Sequence, residues 1–238
     1  MEVTLILLTL ISGAAWTYVY VTAIRLGSAQ RTYAIPYLAL CLNLAWEVLY
    51  GIIGLQHATG FSSSLSIQAY IICVWAILDI LVLRTFFLYG RSEPPWQGFS
   101  WPFFLGIAVF VLIAAASIQL ILYTSLGTRT GATYSAFLQN LVMSALFVRL
   151  YFVRRAQSSP EFATAYKRAP NRGQSVSLAV AKFIGSLAAT LIFGVINEDV
   201  LIALVGLTIA LLDIIYIALL LQDHASRAPH GTEDLEAA

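Results

Sequence analysis

Two acidic residues of this sequence lie inside long apolar stretches: Glu47 in CLNLAWEVLYG and Asp213 in IALLDIIYIALL. A carboxylate in the hydrocarbon of a bilayer is costly, so a chain that keeps one there usually uses it. The use can be ion pairing, transport of an ion or proton, or donation of a proton to a bound molecule. A third acid, Asp79, follows Trp75 by four residues in another apolar stretch. We expect Asp79 to have a supporting role in the same pocket.

The residues around Glu47 predict that it faces the inside of a helical bundle. Asn43, Trp46 and Tyr50 stand at i−4, i−1 and i+3 from it, a spacing that puts them on its side of an α-helix. A polar and aromatic stripe in a membrane helix faces partners or water rather than lipid. Such residues can simply join helices through hydrogen bonds, but an amide would do so at lower cost than Glu47. We therefore expect Glu47 to have a chemical role.

Asp213 and Tyr216 are spaced three residues apart in the last apolar stretch, so they share a helix face in the same way. No basic residue stands near the middle of a span as an ion-pair partner for the acids, and Lys182 is expected to extend toward the cytosolic interface. Unpaired and away from water, the acids are expected to be at least partly protonated at neutral pH. A neutral carboxylic acid in an apolar, aromatic-lined pocket is a proton donor.

The composition indicates an all-α, polytopic membrane protein. Of the 238 residues 60% are hydrophobic and 11% are charged, and the mean hydropathy is +0.83, whereas soluble domains average about 25% charged residues. With a net charge of +1 and no basic patch, nothing points to nucleic acid. Residues 1–222 are predicted to form a seven-helix bundle in the lipid bilayer, and 223–238 a disordered cytosolic tail. The predicted helices are, approximately, 3–24, 33–55, 66–88, 102–123, 131–153, 176–196 and 199–221.

Lysine and arginine residues concentrate in alternate connections, which predicts the orientation of the helices. The second and sixth connections carry none, the fourth carries only Arg129, and the long polar connection 154–175 carries several. This asymmetry puts the N-terminus outside, or in the lumen of a eukaryotic organelle, and the C-terminus in the cytosol. No basic segment precedes the first span, so we expect an uncleaved helix rather than a signal peptide.

The sequence lacks the motifs of several common metal, phosphate and cofactor sites. The sequence contains no HExxH motif, no cysteine–histidine cluster, no glycine-rich phosphate loop and no DDxxD-like motif that would hold magnesium and a diphosphate. We therefore expect no metal and no cofactor. The last span has no lysine for a retinal Schiff base, and Cys41 and Cys73 are expected to be buried thiols rather than a disulfide.

The stretch RTYAIPYLALCLNLAWEVLYG, residues 31–51, resembles the signature of the small integral-membrane terpene cyclases of fungal meroterpenoid and indole-diterpene biosynthesis. A similar N-x-x-W-E run after an R-T-Y segment marks the second helix of that family. Weaker similarity includes Trp16, QNLVMS at 139–144, GQSVSLAVAKFIGS at 173–186 and LLDIIY at 211–216. The resemblance implies seven helices over nearly the whole chain and a location in the endoplasmic reticulum membrane.

The resemblance also implies an acid-initiated cyclase of lyase or isomerase type. The helix-two glutamate and the last-helix aspartate of the family correspond to Glu47 and Asp213, which are predicted to be catalytic. Glu47 would protonate a terminal epoxide, or an alkene, of a lipophilic epoxyprenyl substrate that carries an aromatic or indole group. Asp213 would be its partner, which orients the substrate, relays the proton or acts as the base, and the two roles could be exchanged. A carbocation cascade would then form fused rings without a metal, and an upstream prenyltransferase and epoxidase are implied. The predicted substrate-binding residues are Asn43, Trp46, Tyr50, Asp79, Trp16, Asn140 and Tyr216.

A proton-coupled transporter of small solutes is the alternative function, because intramembrane acids also form proton relays. Transporters often contain internal repeats and helices that glycine or proline breaks at matching positions. Here Pro36 and Pro102 fall near the starts of spans, and no repeat is visible. The sequence therefore favours the enzyme.

Overall fold

The computed structural model describes residues 2–58, 64–157 and 171–225. Within these residues there is no strand, and seven helices are long and apolar enough to cross a membrane. The predicted all-α, seven-helix membrane fold is therefore confirmed. A π-helical turn, Leu191–Ile196, extends the sixth helix. The helices are α1 Glu2–Ala29, α2 Tyr37–His57, α3 Ser64–Tyr89, α4 Trp101–Leu126, α5 Thr128–Gln157, α6 Val176–Thr190 and α7 Val200–Ala225.

Several predicted boundaries need correction, and α1, for example, continues to Ala29 instead of ending at 24. α5 continues to Gln157, so Arg154, which the sequence assigns to a polar connection, is helical and buried. α7 continues to Ala225, into the predicted tail. The rest of that tail, 226–238, and most of the connection after α5, 158–170, lie outside the described residues.

Local chemistry accounts for several helix ends. α2 starts directly after Pro36, whose ring fixes φ and which has no N–H to leave unpaired. α4 ends at Gly127, whose φ of 77° favours glycine. Ser175 caps α6, because its hydroxyl oxygen accepts a hydrogen bond from the backbone N–H of Leu178 at 3.1 Å.

The helices close into a ring in the order α1, α3, α2, α5, α7 and α6, and α6 returns to α1. α4 packs outside this ring, against α2 and α5. Large apolar side chains of α4, such as Phe110 and Ile113, are exposed, which suits contact with lipid. Cys41 and Cys73 are free thiols, and Cys41 is buried as predicted, whereas Cys73 is only partly buried.

A buried network of polar and charged groups joins the helix ends at one end of the ring. Glu93, after α3, accepts a hydrogen bond from the Thr32 hydroxyl at 2.5 Å. It also forms ion pairs with Arg154, at 3.4 Å, and with Arg172. Arg154 donates to the backbone oxygen of Tyr33 at 2.5 Å, and burial raises the pKa of the Tyr33 phenol, which therefore stays neutral. This Glu93 network fills one end of the bundle.

Candidate active site

A cavity of about 620 Å³ lies inside the ring, between α1, α2, α3, α5 and the end of α6 with its π-helical turn. It extends from the end of the bundle where α1 begins, near Arg129, to a polar floor at Tyr20, Asn43 and Glu47. Most of its wall is apolar or aromatic, which suits a lipophilic ligand. The Glu93 network lies at the opposite end of the bundle, and none of its residues lines the cavity.

Glu47 and Asp79 meet at the floor of this cavity, although they come from different helices, α2 and α3. One neighbour, Asn43, contacts both carboxyl groups. The Tyr20 hydroxyl donates to Oε1 of Glu47 at 2.6 Å. The amide nitrogen of Asn43 lies 2.7 Å from the same oxygen and 2.9 Å from Oδ2 of Asp79. Glu47 and Asp79, which we call the carboxyl pair, are both buried.

The surroundings of the carboxyl pair favour the presence of at least one proton. Both carboxyl groups are buried around the Asn43 amide, and two ionised carboxylates so close together repel each other most strongly away from water. No lysine or arginine forms an ion pair with either carboxyl within the described ranges. Oε2 of Glu47 receives no hydrogen bond from any other described group, and Glu47 lines the cavity. The arrangement therefore presents a carboxylic acid to the cavity.

Two glutamine side chains fix the orientation of Asn43. Gln139 of α5 donates to Oδ1 of Asn43 at 3.0 Å, and Gln119 of α4 donates to Oε1 of Gln139 at 2.7 Å. Gln119 also donates to the backbone oxygen of Leu42 at 3.2 Å. Since its carbonyl oxygen is occupied, Asn43 points its amino group at the carboxyl pair.

Aromatic rings surround the floor of the cavity. Trp16, Tyr20 and Trp75 form one cluster, with ring centroids 6.1, 6.2 and 6.5 Å apart. Trp46 and Tyr50 form another, with centroids 5.5 Å apart, and the Trp46 indole donates to a backbone oxygen of α5 at 2.9 Å. The faces of aromatic rings are negative, so rings around a dry cavity stabilise a positive charge inside it.

The predicted site residues divide into two groups. Contrary to the expectation of direct contact, Asp79, Asp213 and Tyr216 do not line the cavity. Asp79 lies behind Asn43, and Tyr216 packs on Phe147, with ring centroids 5.3 Å apart. The predicted residues that do line the cavity are Trp16, Asn43, Trp46, Glu47, Tyr50 and Asn140.

Asp213 has a cationic partner, so the expectation of an unpaired acid is wrong. Nζ of Lys182 lies 2.8 and 2.9 Å from the two carboxylate oxygens of Asp213, and 2.6 Å from the Ser144 hydroxyl. Lys182 is 0% exposed and does not extend to the interface. α6 and α7 are adjacent, so Lys182, near the middle of α6, reaches Asp213, at the middle of α7.

The fold and this site define a seven-helix membrane protein with an acid at the floor of an apolar cavity. The chain matches the family model of the Pyr4-like transmembrane terpene cyclases over residues 1–223 and therefore belongs to that family. It is 26% identical to the Pyr4-family terpene cyclase mfmH of Annulohypoxylon moriforme over 193 residues, which are 78% of this chain and 68% of that protein.

A second relative is similar to the chain to about the same extent. The chain is 26% identical to the terpene cyclase pyr4 of Aspergillus fumigatus over 185 residues, which are 74% of this chain and 65% of that protein. The matched region thus spans about two thirds of the length of these relatives. No solved structure matches the chain significantly.

Two parts of the site were not predicted from the sequence. Tyr20 is one of several aromatic residues within the spans, and nothing in its neighbours marks it as the donor to Glu47. Lys182 did leave a signal, because it is the one basic residue within the two predicted spans 176–196 and 199–221. A lysine and an aspartate in neighbouring apolar spans are candidates for an ion pair.

Proposed function

We propose that this protein is a membrane-embedded, acid-initiated terpene cyclase. Its substrate is a lipophilic molecule in which a prenyl chain ending in an epoxide is attached to an aromatic or indole group. The observation that supports this most is the carboxyl pair at the floor of an apolar, aromatic-lined cavity. Such a site supplies a proton, excludes the water that would capture a carbocation, and surrounds the charge with rings.

In the proposed reaction, the proton held by Glu47 goes to the epoxide oxygen. The bond between that oxygen and its more substituted carbon breaks, and the electrons of the nearest alkene form a new carbon–carbon bond to this carbon. Each ring closure moves the positive charge along the prenyl chain, until a neighbouring carbon loses a proton. That proton returns to the carboxylate of Glu47, directly or through solvent at the mouth, and restores the acid. The proton lost balances the proton gained, so substrate and product are isomers.

Asp79, Tyr20 and Asn43 are assigned to the control of this proton. Asp79 shares it with Glu47 before the reaction. Once Glu47 has given the proton away, the hydrogen bonds of 2.6 and 2.7 Å from Tyr20 and Asn43 stabilise the new carboxylate. The negative charge left on the carboxyl pair lies close to the developing carbocation and stabilises it in turn.

The substrate is proposed to bind with its epoxide at the cavity floor and its aromatic group near the mouth. The mouth includes His57 and Arg129, both exposed, which suit the polar part of the molecule. Trp16, Trp46, Tyr50 and Asn140 then contact the prenyl chain. A prenyltransferase and an epoxidase would have to supply such a substrate.

The mouth of the cavity is proposed to face the lumen of the endoplasmic reticulum. The basic residues of the first, third and fifth connections support this orientation. It puts the N-terminus of α1 in the lumen and the Glu93 network on the cytosolic side.

Membranes from cells that produce the protein provide the test. They should convert an epoxyfarnesyl or epoxygeranylgeranyl aromatic compound into isomers with additional rings, identified by mass spectrometry and NMR. Glu47→Gln keeps the size and hydrogen bonding of the side chain but removes the transferable proton, so ring formation should be lost. Glu198→Gln, in the exposed turn before α7, is the matched control and should stay active. Absence of rings with the unmodified protein, or substantial rings with Glu47→Gln, would contradict the proposal.

A further inference from the structure

Asp213 and Lys182 form a buried ion pair that the proposed reaction does not use. Their side chains are 2% and 0% exposed, and neither lines the cavity. Both carboxylate oxygens of Asp213 lie within hydrogen-bonding distance of Nζ of Lys182, at 2.8 and 2.9 Å. Neither oxygen is therefore directed at a ligand in the cavity.

Lys182 lies directly behind a residue of the cavity wall. Its Nζ is 5.8 Å from the ring centroid of Trp16, and Trp16 lines the cavity. One turn further along α6, Gly185 leaves room for this indole, because a β-carbon at that position would lie 2.6 Å from the ring. The indole is thus held by α6 and stands between Lys182 and the cavity.

We infer that Lys182 and Asp213 are positioning residues that act through Trp16, and that Asp213 is the counter-ion of Lys182 rather than a proton donor or acceptor for the substrate. Lys182 orients the indole from behind. Asp213 cancels the charge of Lys182, which would otherwise repel the carbocation that forms in the cavity. The inference rests on the proposed function, because the carbocation belongs to that reaction.

Removal of one charge and removal of both should have opposite outcomes. Loss of one partner leaves the other charge buried and unpaired, whereas replacement of a whole buried pair by neutral residues is often tolerated. A carboxyl group that exchanged a proton with the substrate would be needed whatever residue stands at position 182. A double variant therefore separates the two roles.

The experiment compares Asp213→Asn with the double variant Lys182→Gln/Asp213→Asn. Ring formation gives kcat and KM, and unfolding in detergent gives the thermal midpoint. We expect the single variant to lose roughly 100-fold in kcat/KM and the double variant to regain at least about tenfold. The single variant should also release more partly cyclised products, because the unpaired cation disfavours the later carbocations.

Two further variants complete the design. Lys182→Met/Asp213→Leu fills the same space without polar groups, in case the amide pair packs poorly. Asp223→Asn is the matched control, since Asp223 is also on α7 but pairs with the half-exposed Arg155 outside the cavity. It should keep the kinetics and products of the unmodified protein.

Recovery of kcat/KM and of the product pattern in either double variant supports the inference. If both double variants stay as inactive as Asp213→Asn while the control cyclises, Asp213 acts directly and the inference is overturned. It is overturned as well if both double variants unfold at a lower temperature than the single variant, because removal of the second charge should raise the midpoint. Failure of the proposed function looks different: the unmodified protein then forms no rings, and the order of the midpoints still tests the ion pair.

Discussion

Glu47 and Asp213 look alike in the sequence, yet one difference in their surroundings decides their chemistry. Each lies in an apolar helix with a tyrosine three residues later. Glu47 meets a second carboxyl group, two neutral donors and the cavity, whereas Asp213 meets a lysine behind the cavity wall. The first acid is accommodated by a proton and the second by a counter-ion. Burial alone therefore does not distinguish the proposed proton donor from a counter-ion; the partner does.

The largest expected effect is the loss of activity without loss of stability in Glu47→Gln. We expect kcat to fall by about 1000-fold, because general acid catalysis is removed. The thermal midpoint should stay within a few degrees of the original, since a neutral amide replaces an acid that already shares a proton. Kinetics and thermal unfolding of the same preparation test this. A large drop in the midpoint would show that the carboxyl pair is structural and would remove the contrast with Asp213.

The next largest effect is a loss of stability when Asp213 loses its partner. Lys182→Met leaves Asp213 buried without its cation, which should lower the free energy of unfolding by about 3–5 kcal/mol. Arg155→Met is the control, because Arg155 is 53% exposed in its ion pair with Asp223, and exposed pairs contribute only about 0–1 kcal/mol. Denaturation in detergent compares the two variants. Equal, small losses would mean that the Lys182–Asp213 pair is not essential to the fold.

Asp79→Asn should have an intermediate effect on catalysis. Glu47 keeps its carboxyl group, but it loses the partner with which it shares the proton, so we expect kcat to fall roughly 10- to 100-fold. KM should change little, because Asp79 does not line the cavity. Steady-state kinetics separate the two constants. A rise in KM with unchanged kcat would instead place Asp79 in substrate binding.

Gln119→Leu should have a smaller effect. It removes the donor that holds Gln139, which in turn orients Asn43, and one such hydrogen bond is worth about 1 kcal/mol, or roughly fivefold in kcat. Ser117→Ala is the control on the same helix, because Ser117 is exposed and donates only to the backbone oxygen of Ile113. Equal kinetics for both variants would show that the orientation of Asn43 does not depend on this chain.

The smallest expected effect is none at all. Turnover should survive EDTA, because the sequence lacks a metal-ligand motif and the described residues contain no group of three metal-ligating side chains. Assay of chelated membranes with and without added magnesium tests this. Loss of activity with rescue by magnesium would point to ionisation of a diphosphate and would remove the carboxyl pair from its proposed role.

The helices and the inward face of α2 could be predicted because both depend on local sequence. An apolar stretch either is or is not long enough to cross a bilayer, and the spacing of Asn43, Trp46 and Tyr50 around Glu47 fixes their common face. Trp16 and Asn140 were placed in the site by the family resemblance and not by this local reasoning.

The partners of the acids could not be predicted, because they depend on which helices are neighbours and at what height. Asp79 reaches Glu47 only because α3 packs on α2 at one register. Lys182 reaches Asp213 only because α6 and α7 are adjacent. For Arg154, charge alone suggested a polar connection, whereas its buried acceptors allow a helix to continue through it.

The position of the Glu93 network affects how the product of the proposed reaction leaves the protein. The Glu93 network fills the end of the bundle beyond the cavity floor. In the proposed reaction, a product made at that floor therefore leaves through the mouth that admitted the substrate. A prenyl chain can thread a narrow passage in many conformations, whereas a fused-ring product is rigid and has few. Each ring that forms therefore makes departure slower than entry. In the proposed reaction, release of the product therefore becomes a larger part of each turnover as more rings are formed.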